Sequence, residues 1–182
     1  MEETAEASPF RIITAETPAH TTATKALFTA YAEWLNLDLT FQGFTEELES
    51  LPGKYSAPQG EILLAYSTTK PNQPLGCVAV RPLPTNSGVD VDANANANAT
   101  ATCCEMKRLF VSPEARGMGL GKALVDAIVQ RARGLGYREM RLDTLPIMAG
   151  AIGLYRRAGF GEIAAYYETP LEGTLFLGLK LS

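Results

Sequence analysis

The stretch Arg116-Gly117-Met118-Gly119-Leu120-Gly121-Lys122 constrains this chain more than any other. A predicted strand over 103–111 precedes it, and a helical repeat follows. That repeat places Leu120, Leu124, Ile128 and Ala132 on one face and Lys122, Asp126, Gln130 and Arg133 on the other. A strand therefore passes through a glycine-rich turn into a helix. Glycines let backbone N–H groups turn inward without Cβ obstruction, and the helix N-terminus adds partial positive charge. Arg116 and Lys122 bracket the turn with full charges, which makes it a receptor for a pyrophosphate. The plain structural reading is a turn that merely starts a helix. A mononucleotide P-loop is a poor match, because position 116 is arginine and position 123 is alanine. A dinucleotide fingerprint is also poor: its third glycine comes one residue early, although Asp143 could imitate the ribose carboxylate.

The rest of the chain reads as alternating elements. Thr17-Pro18 starts a helix, with Thr17 as N-cap and Ala23, Leu27, Tyr31 (or Ala30) and Trp34 on one face. His20, alone near that start, reads as a capping or surface residue. A short helix begins at Thr45 and stops before Pro52-Gly53. Strands are predicted over 61–67 and 76–83 as a hairpin, then over 103–111, 139–144, 160–167 and 174–181, with a last helix over 147–158. Residues 1–9 read as a loose tail. Asp-Ala-Asn-Ala-Asn-Ala-Asn-Ala within 84–101 offers little to bury and reads as a mobile insertion loop. At 182 residues the chain is sized for a single domain over 1–182. The order predicts an α/β (α+β) fold, a mixed sheet with helices on its faces.

Composition excludes several classes. No apolar run approaches the ~18–20 residues of a membrane span. The acidic start lacks the basic and apolar regions of a secretory leader. Three cysteines, with Cys103 and Cys104 adjacent, cannot build a disulfide framework and lack metal-ligand spacing, so a cytoplasmic protein without metal is expected. The net charge of −4 divides unevenly: 1–60 carries three basic and nine acidic side chains, 104–157 ten basic and five acidic. An acidic chain is a poor nucleic-acid binder, whereas its basic half suits a compact polyanion.

Lys107-Arg108-Leu109-Phe110-Val111-Ser112-Pro113 precedes the glycine stretch. Met140-Arg141-Leu142-Asp143 and Ala151-Ile152-Gly153-Leu154-Tyr155-Arg156-Arg157-Ala158-Gly159-Phe160 follow it. Joined at this spacing, these segments resemble the GNAT superfamily of acyl-CoA-dependent N-acyltransferases. The resemblance implies a mostly antiparallel central sheet with helices on both faces, and acetyl-CoA as cosubstrate. It implies that Phe110 and Val111 pair through their backbones with the pantetheine arm. The N–H groups of Arg116, Gly117, Met118, Gly119, Leu120, Gly121 and Lys122 would hold the pyrophosphate. A backbone N–H near Leu109 would polarise the thioester carbonyl, and one pre-placed donor contributes ~10²–10³ in rate. Tyr155 occupies the family's general-acid position; its plain reading is a core aromatic. Many relatives carry asparagine in the turn after the Asp143 strand, where this chain has Leu145-Pro146-Ile147-Met148.

The chemistry needs a base to take the amine's proton and an acid for the leaving thiolate, each contributing ~10²–10⁴-fold. Asp143 and Glu105 are the competing bases; for both, an ordinary salt bridge is the plain alternative. Acceptor contacts should come from outside the motif, with Asp38, Phe41, Gln42 and Tyr167 as candidates. The expected function is direct N-acetyl transfer to a small-molecule primary amine, with peptide or protein amines next. A non-catalytic acyl-CoA-binding module is the alternative from another class, and an exposed edge strand could pair two copies in a homodimer.

Overall fold

In the computed structural model, residues 8–83 and 102–181 are described. The expected segment 84–101 and most of the expected tail 1–9 lie outside them. The strands are β1 (Phe10–Thr14), β2 (Glu61–Ser67), β3 (Pro74–Pro82), β4 (Cys103–Val111), β5 (Glu139–Thr144), β6 (Gly161–Glu162) and β7 (Leu175–Lys180). The helices are α1 (Pro18–Leu35), α2 (Phe44–Ser50), α3 (Leu120–Gly134) and α4 (Ala149–Arg157). One sheet takes the order β1-β2-β3-β4-β5-β7-β6. Its neighbours are antiparallel except β4 and β5, which run parallel and are joined through α3. The expected mixed, mostly antiparallel sheet is thus present.

Residues on β2 face two cores, which is why the strand reads as an unbroken apolar run. Leu63 and Ala65 pack with Val78, Met106, Leu142 and the α3 stripe of Leu120, Leu124, Ile128 and Ala132. Ile62, Leu64 and Tyr66 face the other way, onto Leu27 and Phe28 of α1. Burying side chains of this kind contributes about 1.5–3 kcal/mol each, so helices on both faces are needed to cover the sheet. Among the described residues, no helix is long and apolar enough to cross a membrane.

Three expectations change. β1 was not foreseen: Phe-Arg-Ile-Ile-Thr is short and lacks a clean alternation, and it becomes a strand by pairing with β2 from Phe10↔Ser67 to Thr14↔Leu63. The buried face of α1 is rotated. It runs through Thr24, Leu27, Phe28 and Leu35, because fully buried Phe28 dominates, and it leaves Trp34 47% exposed. The strand expected over 160–167 stops at Glu162, beyond which Tyr166 and Tyr167 turn inward and pack edge-on against Phe176 of β7. The helix cap is as expected. His20 N–H donates to Thr17 Oγ1 at 3.2 Å, and His20 Nδ1 accepts from Thr17 N–H at 3.3 Å.

Candidate active site

A helix that begins without a side-chain cap leaves its first N–H groups unpaired. α3 begins this way after Gly119, and no acceptor among the described residues takes the backbone N–H groups of Gly117 through Lys122. Gly117 and Gly119 shape the turn with φ of +83° and +78°. A Cβ at either would meet nothing within 4 Å, so the turn demands glycine for its dihedral and not for space. Gly121 works differently: a Cβ there would stand 2.9 Å from Leu154 Cδ1 on α4. It lets the two helices approach.

The bracketing side chains are already engaged. Lys122 pairs with Asp126 one turn along α3. The Arg116 guanidinium lies over the Trp34 ring at 5.2 Å, and its Nε donates to the Val111 carbonyl at 3.3 Å. Met118 is half-exposed and Leu120 fully buried, so Leu120 can offer the turn only its backbone.

Beside this turn the sheet opens. β4 pairs with β5 only from Cys103↔Glu139 to Glu105↔Arg141. On the other side, the register with β3 jumps from Cys77↔Phe110 to Ala79↔Lys107. Arg108 and Leu109 therefore share Val78 as partner, which is a β-bulge. Past the bulge, Ser112 N–H donates to Leu75 O. Ladder alternation then turns the backbone groups of Phe110 toward β3 and those of Val111 toward the open edge.

Arg108 adopts a φ of +58°, a conformation that costs a non-glycine residue about 1–3 kcal/mol. Its guanidinium holds it there. Nε and one terminal nitrogen donate to the two Glu47 oxygens at 2.8 and 3.2 Å, and the other donates to Gln42 Oε1 at 3.1 Å. The rings of Phe44 and Tyr31 lie 5.0 and 5.8 Å from it.

Two openings meet at the bulge. A narrow pocket of about 30 Å³ lies between the splayed strands, lined among others by Tyr31, Leu109, Asp143, Met148 and Tyr155. A cleft of about 350 Å³ adjoins it, lined among others by Phe41, Glu105, Tyr166, Tyr167 and Glu168. Gln42, Lys107 and Arg108 line both. Burial, with smaller effects from Tyr31 and Asp143, pushes the Tyr155 phenol far above its ordinary range. Burial, partly offset by Arg108, pushes Tyr31 up to about 12. Both phenols stay protonated at neutral pH.

The competing carboxylates stand in different surroundings. Glu105, 2% exposed, accepts from Arg81 Nε at 2.9 Å and from the Tyr166 hydroxyl at 2.9 Å, so both its oxygens are occupied. Asp143 receives one hydrogen bond, from Lys107 Nζ at 3.1 Å, through Oδ1. Lys107 also stands 3.8 Å from Glu105. The buried Tyr167 hydroxyl lies beside Asp143 and Thr169 without a hydrogen bond of ordinary length to either. Asp38 lines neither opening: its Oδ1 accepts from Thr40 N–H at 2.9 Å, which ties it to the turn Thr40–Gln42. Of the expected acceptor residues, Phe41, Gln42 and Tyr167 come together and Asp38 does not.

The model of the acetyltransferase (GNAT) family matches residues 28–160. An uncharacterized N-acetyltransferase of Schizosaccharomyces pombe (strain 972 / ATCC 24843) is 37% identical over 87% of this chain and 86% of its own. This chain belongs to the acetyltransferase (GNAT) family. The fold of a GNAT-family acetyltransferase from Staphylococcus aureus Mu50 is similar at a TM-score of 0.71, with 17% identity over 95% of this chain and 99% of that one. So is that of yncA from Salmonella typhimurium, solved with its cofactor acetyl-CoA, at a TM-score of 0.61. It is 18% identical over 96% of this chain and 95% of its own, and at such identities the likeness concerns the fold.

Within this acetyltransferase, sequence reasoning missed Tyr31, Arg81, Lys107, Arg108 and Tyr166 as site residues. In the sequence, Tyr31 stands only on a helix face, and Lys107 and Arg108 only within a motif. A signal existed for Lys107 and Arg108: consecutive cations in a strand that holds only one acidic residue, Glu105, are costly to bury without partners. Met148 forms part of the pocket wall, and its sulfur accepts from Thr144 Oγ1 at 3.7 Å.

Proposed function

We propose that this acetyltransferase moves the acetyl group of acetyl-CoA directly to a primary amine of a small molecule. The observation that carries the reading is the meeting of an uncapped, glycine-shaped helix start, an open β4 edge and a pocket holding a protonated phenol and a carboxylate. The residues suit the donor. The N–H groups from Gly117 to Lys122 would bind its pyrophosphate, where unpaired amides and the helix dipole favour negative charge. The Arg116 N–H already donates to Pro113 O at 3.3 Å. The outward groups of Val111 would extend the sheet to the pantetheine arm, and Leu109 N–H would face the carbonyl oxygen. Bound acetyl-CoA would supply an activated acyl carbon and a thiolate leaving group.

Asp143 is the better base. Its Oδ2 accepts no hydrogen bond among the described residues, whereas Glu105 is tied to Arg81 and Tyr166 and serves to hold them. Tyr155 is protonated at neutral pH and lines the pocket where the sulfur would leave, so its position and protonation state, and not its raised pKa, support the general-acid role. A cleft of about 350 Å³ suits a small acceptor better than a folded protein surface. The unpaired cysteines Cys77, Cys103 and Cys104 favour work in the reducing cytoplasm.

Calorimetric titration with acetyl-CoA tests the donor: saturable binding that coenzyme A also gives is expected, and no heat with folded protein would overturn it. Tyr155→Phe tests the chemistry. It should lower kcat by about 10²-fold or more while acetyl-CoA affinity stays unchanged. An acyl-CoA-binding module without catalysis would have no turnover to lose.

A further inference from the structure

The charges around the acceptor cleft restrict what it can admit. Arg81 donates to Glu105 with Nε at 2.9 Å, and a second nitrogen stands 2.8 Å from the same oxygen. Lys107 is held by Asp143 at 3.1 Å, and Arg108 is held by both oxygens of Glu47. Each cation lining the cleft thus has its own carboxylate. These groups are largely buried, and removing one partner of such a pair leaves an uncompensated buried charge. A carboxylate on the acceptor would find no free cation here without breaking one of these pairs.

Glu168 is the exception. It lines the same cleft, is exposed, and has no ion-pair partner among the described residues. The net unpaired charge at the cleft is therefore negative and single. The walls are aromatic: Phe41 is 38% exposed, and Tyr166 and Tyr167 meet at 5.5 Å between ring centres. Phe176 stands 5.1 and 5.2 Å behind those two rings, so they form a fixed surface. Such a surface attracts flat apolar groups and, through ring faces, ammonium groups.

We infer that the acceptor is a monoamine with an aromatic or apolar body and no carboxylate, and that Glu168 selects for its ammonium on entry. This rests on the acetyltransferase reading above and names its substrate class. An α-amino acid would bring a carboxylate with no cation to receive it. A polyamine would bring several ammonium groups to one free carboxylate.

The test measures thiol release by the full chain with saturating acetyl-CoA and 2-phenylethylamine, phenylalanine or spermidine. The amine should exceed both others in kcat/KM by about tenfold or more. Glu168→Gln should raise KM for 2-phenylethylamine with little change in kcat, and Glu168→Arg should shift preference toward phenylalanine. Glu168 is exposed, so both variants are expected to fold. Equal or better use of phenylalanine or spermidine overturns the inference. So does rejection of 2-phenylethylamine by protein that binds acetyl-CoA in the calorimeter. Failure to bind acetyl-CoA overturns the donor reading instead.

Discussion

Along the proposed donor side, the candidate binding groups come from one short stretch, Leu109 to Lys122, and most are backbone. Across the proposed acceptor side they are side chains drawn from Phe41 to Glu168, held by ion pairs between distant elements. A backbone site needs particular dihedrals and an unpaired helix end, both of which are local properties. A side-chain site needs partners that only folding brings together. The first should tolerate changes in side-chain chemistry and fail when the backbone is altered. The second should do the reverse, and its charges should matter to stability as well as to selection.

The largest effect should come from Arg108→Ala, which strips a buried cation from Glu47, whose side chain is 11% exposed. Urea unfolding should show a loss of about 3–5 kcal/mol, and the pair Arg108→Met with Glu47→Leu should restore much of it. A loss below 1 kcal/mol would break the contrast, since the acceptor side would then not depend on its ion pairs.

High pH probes the small pocket beside the bulge, which Tyr31 and Tyr155 line. Below pH ~10, Tyr31 and Tyr155 are protonated in folded and unfolded chains alike, so they make stability independent of pH there. Above it, the unfolded chain loses these protons while the fold keeps them, up to about 12 for Tyr31. The folded state then binds more protons and stability falls with rising pH, by about 1.4 kcal/mol per unit for each phenol. Tyr31→Phe should flatten that limb in denaturant titrations across pH 9 to 12, whereas an unchanged slope would remove Tyr31 from the account.

On the donor side, Gly119→Val should weaken acetyl-CoA binding about tenfold or more. A β-branched residue resists the φ of +78° that shapes the turn. Gly119→Asn should lose much less, because asparagine tolerates that region and a Cβ meets no neighbour there. Similar losses for both variants in calorimetry would mean that space, not dihedral, governs the turn.

The smallest effect is optical. Trp34 is the single tryptophan, and Arg116 lies over its ring while bonded to the outward carbonyl of Val111. Acetyl-CoA pairing with Val111 should displace that guanidinium and change Trp34 emission, and Arg116→Gln should abolish the change. Emission that stays constant at saturation would leave Arg116 in place throughout binding.

What the sequence by itself determined is the set of features written within a few tens of residues. The α3 stripe, the glycine turn, the Thr17 cap, the hairpin of β2 and β3, and the bounds of β4 and β5 all follow from periodicity, turn residues and caps. These are local because helix and strand periods act over neighbouring residues. Tertiary structure decided the rest. β1 exists because β2 offers it an edge, and the chain after Glu162 leaves the sheet because Tyr166 and Tyr167 pack on Phe176. Glu105 and Asp143 differ in the donors that surround them, Arg81 and Tyr166 for the one and Lys107 for the other. Arg108 holds a strained bulge because Glu47, far off in the chain, is folded against it. Ion pairs and packing act between residues that the chain order does not relate, so no pattern along the sequence could have assigned them.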